Sequence, residues 1–330
     1  MIALYVTSLE EFAGKTAICA GVGKRLVEDG KKVGFLKPIV TDGGEPSIGG
    51  IDSDAAFMKH VLALDEPVDH LCPVISDQGN LPNKVKEAYV KISPNKDVVI
   101  VEGISQQSIV EALDARVIFV ESYSQGLAKA KFIDECKGFE KHLLGVVLNK
   151  VPRGRVKQVR NEISTQLGEG EINILGVLPE DRVLFSLTVG ELAEHVQGEI
   201  LNCAEKSAEL VDNFMLGAMC VDPGPQYFGR KTNKAVVVRG ERPDMQLAAL
   251  ETSTKCLILS GNTAPIPDVV YRAEDKGIPI ILVKGDTMAT VTSIENALSK
   301  TRFNQEKKLP KLAEIMEQYF DFQALYRGLG

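Results

Sequence analysis

The sequence predicts an α/β protein with a doubly wound, mainly parallel sheet, followed by a second, smaller α/β domain. Short Val- and Ile-rich runs are almost continuously apolar, which is typical of parallel strands covered on both faces. Segments with the apolar spacing of helices lie between these runs, and the repetition predicts βαβ units. The length of 330 residues favours two domains over one core.

The first domain is predicted to contain most of these units. We expect its strands at residues 2–7, 33–36, 98–101, 117–120, 144–148 and 172–178. We expect helices over residues 15–29, 54–64 and 127–136. Gly30 follows the first helix and is a typical residue to end it.

The pattern changes near residue 200. Apolar spacing predicts one helix over 198–216, and a polar, Pro- and Gly-rich stretch follows at 222–233. A second series then has strands at 235–238, 256–259 and 278–283, and helices at 244–252, 267–276 and 287–299. After a charged linker, 304–308, we expect a final helix over 309–326. The predicted domains are 1–198, a connecting helix and linker at 199–233, a second domain at 234–303, and a C-terminal helix at 304–330.

Composition argues against several classes of protein. The net charge of −7 disfavours nucleic-acid binding, which usually needs a basic face. No apolar run has the length of a membrane span, and no basic residues precede the apolar start, so we expect neither a membrane protein nor a signal peptide. The six cysteines form no Cys-x-x-Cys pair, and the four histidines do not cluster. We therefore expect a reduced, cytoplasmic protein without a zinc site.

The segment between the first strand and the first helix resembles a phosphate-binding loop in its residue types. Its last triplet is Gly14-Lys15-Thr16, flanked by Ala13 and Ala17. Gly14 allows backbone N–H groups to approach phosphate, Lys15 can reach the β and γ phosphates, and the Thr16 hydroxyl can bind Mg²⁺. The standard motif has glycine at position 9, where this chain has Leu9. The alternative is a surface turn with an incidental lysine.

Three further segments place polar side chains where a nucleotide site would need them. Lys37 follows the second strand, at the carboxyl edge where ligands of parallel sheets bind, although a single lysine there is usually solvated. Asp52-Ser53-Asp54 opens a helix, either as an ordinary N-cap or with a carboxylate directed at Mg²⁺. Glu102 ends an apolar strand in the Walker B arrangement, which is also the pattern of any strand followed by a turn.

Together these segments resemble dethiobiotin synthetase and its relatives over roughly residues 1–200. The matching segments are Val6-Thr7-Ser8-Leu9, Gly14-Lys15-Thr16, Lys37-Pro38-Ile39-Val40-Thr41, Ser53-Asp54-Ala55, Val101-Glu102-Gly103 and Asn149 in Gly145–Lys150. The resemblance implies that Lys15 and Thr16 hold phosphates and Mg²⁺, that Asp54 and Glu102 are metal ligands, and that Asn149 contacts the base. It implies that Lys37 stabilises charge on the transferring phosphoryl group or on an acyl-phosphate acceptor.

The chain also departs from that family. Where the synthetase has a glycine-rich run that holds its substrate, this chain has Ile104-Ser105-Gln106-Gln107. Ser8 replaces the first glycine of the family loop, and Phe12 stands where an acid is common. We therefore do not expect dethiobiotin synthesis.

The second half resembles the DRTGG domain. Its two signature turns correspond to Arg239-Gly240-Glu241-Arg242-Pro243-Asp244 and Leu259-Ser260-Gly261-Asn262, which makes Glu241, Arg242, Asp244, Gly261 and Asn262 candidate ligand-turn residues. A dethiobiotin-synthetase-like domain followed by a DRTGG domain resembles the N-terminal regulatory region of long phosphate acetyltransferases. The catalytic acetyltransferase domain is not within these residues, so we expect no complete acetyltransferase. Because DRTGG domains resemble pairing modules, we expect a homodimer.

Three functions remain open at this point. The first is a regulatory or sensor protein that binds ATP or GTP with Mg²⁺ and senses an unknown small metabolite. The second is an ATP-dependent ligase in which Lys15 and Lys37 help to activate a carboxylate or carbamate as a mixed phosphoric anhydride. The third is a structural module with a vestigial site, which Ser8 and Leu9 would favour. Whether the site turns over nucleotide is left open.

Overall fold

The structure, a computed structural model, describes residues 1–40, 52–75, 78–124, 130–167, 172–218 and 224–330. Thr41, Cys220 and the first residues of the helix predicted for 127–136 lie outside these ranges. The chain forms two compact units: residues 1–181 with 302–330, and residues 182–301. The second unit thus begins at Arg182 and includes residues that the sequence had assigned to the first domain.

The first unit alternates strands and helices along the chain. Its strands are β1 (Ile2–Thr7), β2 (Val33–Leu36), β3 (Ile39–Val40), β4 (Val74–Ile75), β5 (Val98–Glu102), β6 (Arg116–Ser122), β7 (Leu143–Val151) and β8 (Ile174–Pro179). Its helices up to this point are α1 (Lys15–Glu28), α2 (Ser53–Val61), α3 (Val68–Leu71), α4 (Leu81–Ile92), α5 (Gln107–Leu113), α6 (Ala130–Gly138) and α7 (Val156–Gln166).

Six of these strands form one parallel sheet in the order β2-β5-β1-β6-β7-β8. The central strands are buried along their length, as their almost continuously apolar sequences predicted. The α/β class with a mainly parallel sheet is therefore confirmed. The small strands β3 and β4 pair separately.

The register of this sheet brings distant polar residues to one edge. Val6 of β1 pairs with Glu102 of β5, and Ser122 of β6 pairs with Asn149 of β7. Lys37 follows directly after β2 on the far side of β5. Because all of these strands run in parallel, their carboxyl ends and the loops that follow them lie at the same edge.

The second unit has its own sheet. Its elements are β9 (Leu187–Thr188), α8 (Val189–His195), β10 (Glu199–Ile200), β11 (Leu210–Val211), β12 (Asn213–Leu216), α9 (Gly224–Phe228), β13 (Lys234–Arg239), α10 (Pro243–Leu250), β14 (Thr254–Ser260), α11 (Pro267–Asp275), β15 (Ile280–Leu282) and α12 (Thr287–Ser299). Five strands are ordered β10-β15-β14-β13-β12, and all pairs are parallel except β10 with β15.

Both faces of this second sheet are covered. Alternate residues of β13 and β14 point to opposite sides, so the strands supply two separate cores. One core joins Val237 and Ile258 to Ile294 of α12, and the other joins Val236 and Leu257 to helices α10 and α11. The second unit is therefore doubly wound in its own right.

The helix predicted for residues 198–216 is wrong. This segment contains β10, a 3₁₀ turn at Ala204–Lys206, β11 and β12. Gln197 and Cys203 have positive φ angles of 51° and 50°, which no α-helix accommodates. The Asn202 side chain bonds the backbone of residues 278 and 280, so it joins the segment to β15. The apolar spacing fitted a helix, but Ile200 and Phe214 instead lie on strands paired into the five-stranded sheet, and Val211 is buried on β11.

The final helix predicted for 309–326 is in fact two helices, α13 (Leu309–Tyr319) and α14 (Phe322–Leu329). Between them Phe320 is extended and pairs with Gly176 on the edge strand β8, and Asp321 caps the second helix. Helix α13 packs on α1 so closely that a Cβ on Gly21 would lie 2.0 Å from the Met316 sulfur. These two helices therefore belong to the core of the first unit.

Two other expectations can be compared with the described residues. None of the helices described is both long enough and apolar enough to cross a bilayer. The cysteines within the described ranges are free thiols at positions 19, 72, 136, 203 and 256.

Lys234, the first residue of β13, is fully buried in the second unit. Its ammonium group donates hydrogen bonds of 2.9 Å to the Thr252 hydroxyl and 2.9 Å to the Ser253 carbonyl oxygen. Burial disfavours the charged form and lowers the pKa of Lys234 to about 8. A charged lysine is thus kept in this core by two neutral acceptors.

We predict that this lysine makes stability depend on pH. Between pH 8 and the ordinary lysine value of 10.5, the folded chain has lost the Lys234 proton and the unfolded chain keeps it, so stability rises with pH. Between pH 7 and 9.5, the free energy of unfolding of wild type, measured with urea, should rise by about 1–2 kcal/mol relative to that of Lys234→Met. The half-exposed Lys255→Met is the control, and an equal gain in both variants would contradict the assignment.

Candidate functional site

The loop between β1 and α1 has the conformation that its glycine allows. Gly14 has a φ of 100° and immediately precedes α1, and its carbonyl oxygen accepts the first helical hydrogen bond from the Ile18 N–H at 3.1 Å. Phe12 also has a positive φ, 57°. The free N–H groups and the partial positive charge of this 14-residue helix therefore lie at the carboxyl edge of the sheet.

Lys15 is held by a residue whose role the sequence did not indicate. Its ammonium donates a 2.9 Å hydrogen bond to the Ser8 hydroxyl, which in turn donates to the Glu10 carbonyl oxygen at 2.6 Å. Ser8 is buried, so this contact is shielded from water. The serine that replaces the family glycine thus fixes the lysine over the loop.

Thr16 and Glu102 are in direct contact. The Thr16 hydroxyl donates a 2.9 Å hydrogen bond to Oε1 of Glu102, which is only 4% exposed. The other oxygen, Oε2, is buried without a hydrogen-bond partner. Burial, together with the nearby Asp54, raises the pKa of Glu102 to about 7, although Lys37 and Lys15 act in the opposite direction.

Lys37 forms the second half of the site with two aspartates of the α2 N-terminus. Its ammonium lies 2.5 Å from Oδ2 of Asp54 and 3.1 Å from Oδ2 of Asp52. Asp52 is also the N-cap of α2, because Oδ1 accepts the backbone N–H groups of Asp54 and Ala55. Burial works against the charge on Lys37, but the carboxylates of Glu102, Asp54 and Asp52 outweigh it and raise the pKa of Lys37 above its ordinary value.

These residues fit a magnesium ion. Mg²⁺ prefers oxygen ligands and usually takes one or two carboxylates, with water and phosphate oxygens completing its shell. Oδ1 of Asp54 and Oε2 of Glu102 are both buried without a hydrogen-bond partner, and the Thr16 hydroxyl adjoins Glu102. Within the described ranges no group of three or more His, Cys, Asp or Glu could bind a metal ion. Water or phosphate oxygens would complete the coordination.

Asn149 contacts the loop rather than an open cleft. Its amide nitrogen donates to the Ala13 carbonyl oxygen at 2.9 Å, and its amide oxygen accepts the Lys150 N–H at 2.9 Å. The Lys150 ammonium also donates to the Phe12 carbonyl oxygen at 2.6 Å. Both residues of β7 therefore brace the loop. Contact of Asn149 with a base remains a prediction.

The sequence did not point to Lys150 or to the bracing role of Asn149. The adjacent pair Asn149-Lys150 at a strand end was the one available signal. Of the loop neighbours, Ala13 is fully buried and Ala17 is 7% exposed. Their side chains pack inward, so what they can offer a ligand is their backbone.

The candidate DRTGG turns lie at the carboxyl ends of β13 and β14, where their charges are already paired. Arg242 forms a two-point ion pair with Asp244, at 2.9 and 2.7 Å, and the hydrogen bonds from Arg242 lower the pKa of Asp244. Glu241 lies 2.7 Å from the Arg239 guanidinium.

Gly261 and Asn262 turn the chain after β14 with positive φ angles of 89° and 54°. Their N–H groups donate to the carbonyl oxygens of residues 285 and 283, so this turn is joined to the loop after β15. The buried Gln246, which sequence reasoning missed, donates from its amide to the Arg239 and Gly240 carbonyl oxygens. The five predicted residues thus line two neighbouring turns.

Comparison with known families agrees with this architecture. The AAA domain family, a P-loop family of the dethiobiotin synthetase type, matches residues 3–186, and the DRTGG domain family matches residues 191–297. The predicted resemblance to these two families is confirmed.

Phosphate acetyltransferases are similar to this chain. The enzyme of Nitratidesulfovibrio vulgaris is 23% identical, over 98% of this chain and 51% of that protein. The enzyme of Pseudomonas aeruginosa is 24% identical, over 96% of this chain and 50% of that protein. The chain therefore spans about half the length of the curated relatives that it matches.

One solved structure in the comparison is cobyrinic acid a,c-diamide synthase from Mycobacterium smegmatis with bound ADP and magnesium. It is 16% identical, and the alignment covers 55% of this chain and 88% of that one. The TM-score is 0.38.

We predict that Gly14 cannot be replaced without moving Asn149. A Cβ at Gly14 would lie 2.2 Å from the Asn149 amide nitrogen, whereas a Cβ at Gly30 would meet no atom within 4 Å. Both glycines have positive φ, so Gly30→Ala controls for backbone strain. Gly14→Ala should lower the free energy of unfolding, measured with urea, by about 1–3 kcal/mol more than Gly30→Ala does. This additional cost should disappear in an Asn149→Ala background, and its persistence there would contradict the contact.

We also predict a pH dependence from Glu102 in the metal-free protein. Between the ordinary glutamate value of 4.5 and about 7, the folded chain retains the Glu102 proton and the unfolded chain does not, so stability falls as pH rises. In EDTA, the free energy of unfolding of wild type should fall by about 2 kcal/mol relative to that of Glu102→Gln between pH 5 and 8.5. Glu111 is exposed, so Glu111→Gln should show the same pH dependence of the unfolding free energy as wild type. The same pH dependence in wild type, Glu102→Gln and Glu111→Gln would overturn the prediction.

Proposed function

This chain belongs to the AAA domain family, and from that premise we propose that it binds a magnesium nucleotide, ATP or GTP, and acts as a regulatory or sensor protein. The nucleotide would bind at the carboxyl edge of the first sheet. The DRTGG domain, residues 191–297, would respond to a small metabolite.

One observation carries the nucleotide part of this proposal. Thr16 donates a hydrogen bond to Glu102, and the charges of Lys15 and Lys37 both act on that carboxylate. Lys37 is in turn paired with the buried Asp54. Two buried carboxylate oxygens of this site have no hydrogen-bond partner, and each costs free energy that a bound cation would offset. This is the main argument against a vestigial module.

Each residue has a role that its position supports. Lys15 and the N–H groups of α1 would bind phosphate oxygens. Thr16, Asp54 and Glu102 would hold Mg²⁺, which neutralises phosphate charge when bound. Lys37, which its acidic neighbours keep charged, would stabilise the negative charge on the terminal phosphate.

The regulatory part rests on the segment after Glu102. The Tyr5 hydroxyl donates to the Ile104 carbonyl oxygen at 2.7 Å, and the Ser105 hydroxyl donates to Glu135 at 2.9 Å. A Cβ on Gly103 would lie 2.1 Å from the Tyr5 oxygen, so this backbone is tightly held. Such a segment differs from an open, glycine-rich substrate loop and supports sensing over synthesis.

A ligase is the second candidate, and Lys37 is the residue that favours it. A charged lysine beside a metal carboxylate is what activation of a carboxylate or carbamate as a mixed phosphoric anhydride would use. The two functions share the nucleotide site and differ in whether an acceptor stimulates turnover.

We predict that Lys15→Ala weakens nucleotide binding by roughly 10–100-fold, since it removes charge-assisted hydrogen bonds to phosphate. Calorimetry with ATP and GTP, each with Mg²⁺, measures this. Lys24→Ala, on the exposed side of the same helix, should leave the affinity within about twofold. Absence of binding in wild type, or equal binding by both variants, would reject the proposal.

Phosphate release then separates the two candidates. We expect slow release that a panel of small carboxylates and amines does not accelerate. Stimulation by one of them, abolished in Lys37→Met, would replace the sensor with the ligase.

A further inference from the structure

Asp52 stands apart from the other acids of the site. It lies at the N-cap of α2, one residue before the Ser-Asp-Ala segment, and it has no part in the roles assigned above. Its carboxylate nevertheless contacts the Lys37 ammonium with both oxygens, at 3.2 and 3.1 Å. The Asp52 side chain is 11% exposed, so solvent weakens this ion pair little.

Lys37 and a magnesium ion would compete for the same carboxylate. The Lys37 ammonium nitrogen lies 2.5 Å from Oδ2 of Asp54. Oδ1 of the same carboxylate is buried without a hydrogen-bond partner. A divalent ion on Oδ1 would place two cations on one carboxylate in a largely buried site, where their repulsion is strong. The lysine must then weaken its contact with Asp54.

Asp52 offers Lys37 a second position within the site. Because it already accepts from the ammonium, the lysine can transfer to Asp52 without losing an ionic partner. The Asp52 carboxylate is held in place, because its Oδ1 accepts hydrogen bonds from the backbone N–H groups of Asp54 and Ala55, each at 2.9 Å. Among the described residues, the Glu102 carboxylate, which the metal would also bind, acts on the ammonium together with these two aspartates.

We propose that Asp52 is a positioning residue that holds Lys37 when Asp54 binds Mg²⁺, so that the metal enters by an exchange of ion-pair partners. Lys37 occupies the acidic site before the metal arrives and stays beside it afterwards. The lysine therefore remains at the carboxyl edge, charged, where the terminal phosphate would lie. This inference rests on the magnesium nucleotide site proposed above.

A double-mutant cycle tests the exchange. Asp52→Asn removes the charge but keeps an N-cap oxygen, since asparagine caps helices as well as aspartate does. Lys37→Met removes the ammonium and keeps the length of the chain. For wild type, both single variants and the double variant, calorimetry gives the Mg²⁺ concentration that half-saturates ATP binding. Thermal melts without metal check that each protein folds, and Lys37→Gln replaces Lys37→Met where the latter does not.

The exchange and a plain charge effect predict opposite trends. If Asp52 acts through Lys37, D52N should raise the half-saturating Mg²⁺ concentration at least about threefold with Lys37 present and less than about twofold in K37M. If Asp52 only attracts the metal, its effect should be as large or larger in K37M, where no lysine neutralises it. That second result overturns the inference.

The two proposals fail in different ways. Wild type that binds no ATP at any Mg²⁺ concentration overturns the nucleotide site and this inference with it. Wild type that binds ATP with Mg²⁺ while the cycle shows no dependence on Lys37 overturns the inference alone.

Discussion

The pairing of β1 with β5 is the constraint on which the rest of the site depends. It sets Val6 beside Glu102, and therefore brings a buried carboxylate within 2.9 Å of the Thr16 hydroxyl at the start of α1. A shift of this register by one residue would turn the glutamate to the other face of the sheet. Lys37 enters through β2, which pairs on the other side of β5, and Asn149 enters through β7.

The burial that makes this site useful also makes it costly. Glu102 and Asp54 are almost enclosed, and each keeps an oxygen without a hydrogen-bond partner. Buried charges are tolerated when paired, and here Lys37 supplies the pairing. The site without ligand is thus an ion-pair cluster, and binding of a cation would change the partners of charges that are already present.

Much of the fold could be predicted from hydrophobic periodicity, and the failures have physical causes. Continuous apolar runs identify the six strands of the first sheet and β13, β14 and β15 of the second, because a strand buried on both faces has no polar side. Residues 198–216 misled the prediction, because their apolar residues have helical spacing while Asn202 joins them to β15 through long-range hydrogen bonds. The break at Phe320 depends on pairing with Gly176, a contact that no local pattern reveals.

The site divides in the same way. Residue types and order were enough to select Lys15, Thr16, Lys37, Asp54 and Glu102, since strand ends of a parallel sheet meet at one edge. The contacts of Ser8, Asp52 and Lys150 depend on side-chain directions across the loop, which the order of residues does not specify. Ser8 in particular was interpreted as a departure from the family glycine, yet its hydroxyl accepts a hydrogen bond from the Lys15 ammonium.

The hydrogen bond between Asn149 and Ala13 has a consequence for when the loop between β1 and α1 is held in place. The two residues are 136 positions apart in the chain, and Arg25 on the following helix pairs with Glu317, 292 positions away. Contacts of such long range form late in folding, because the entropy of closing the intervening chain must first be overcome. A nascent chain that has only begun to emerge from the ribosome would therefore carry the motif without the braced loop, and the nucleotide binding proposed for it would arise in a late step of folding.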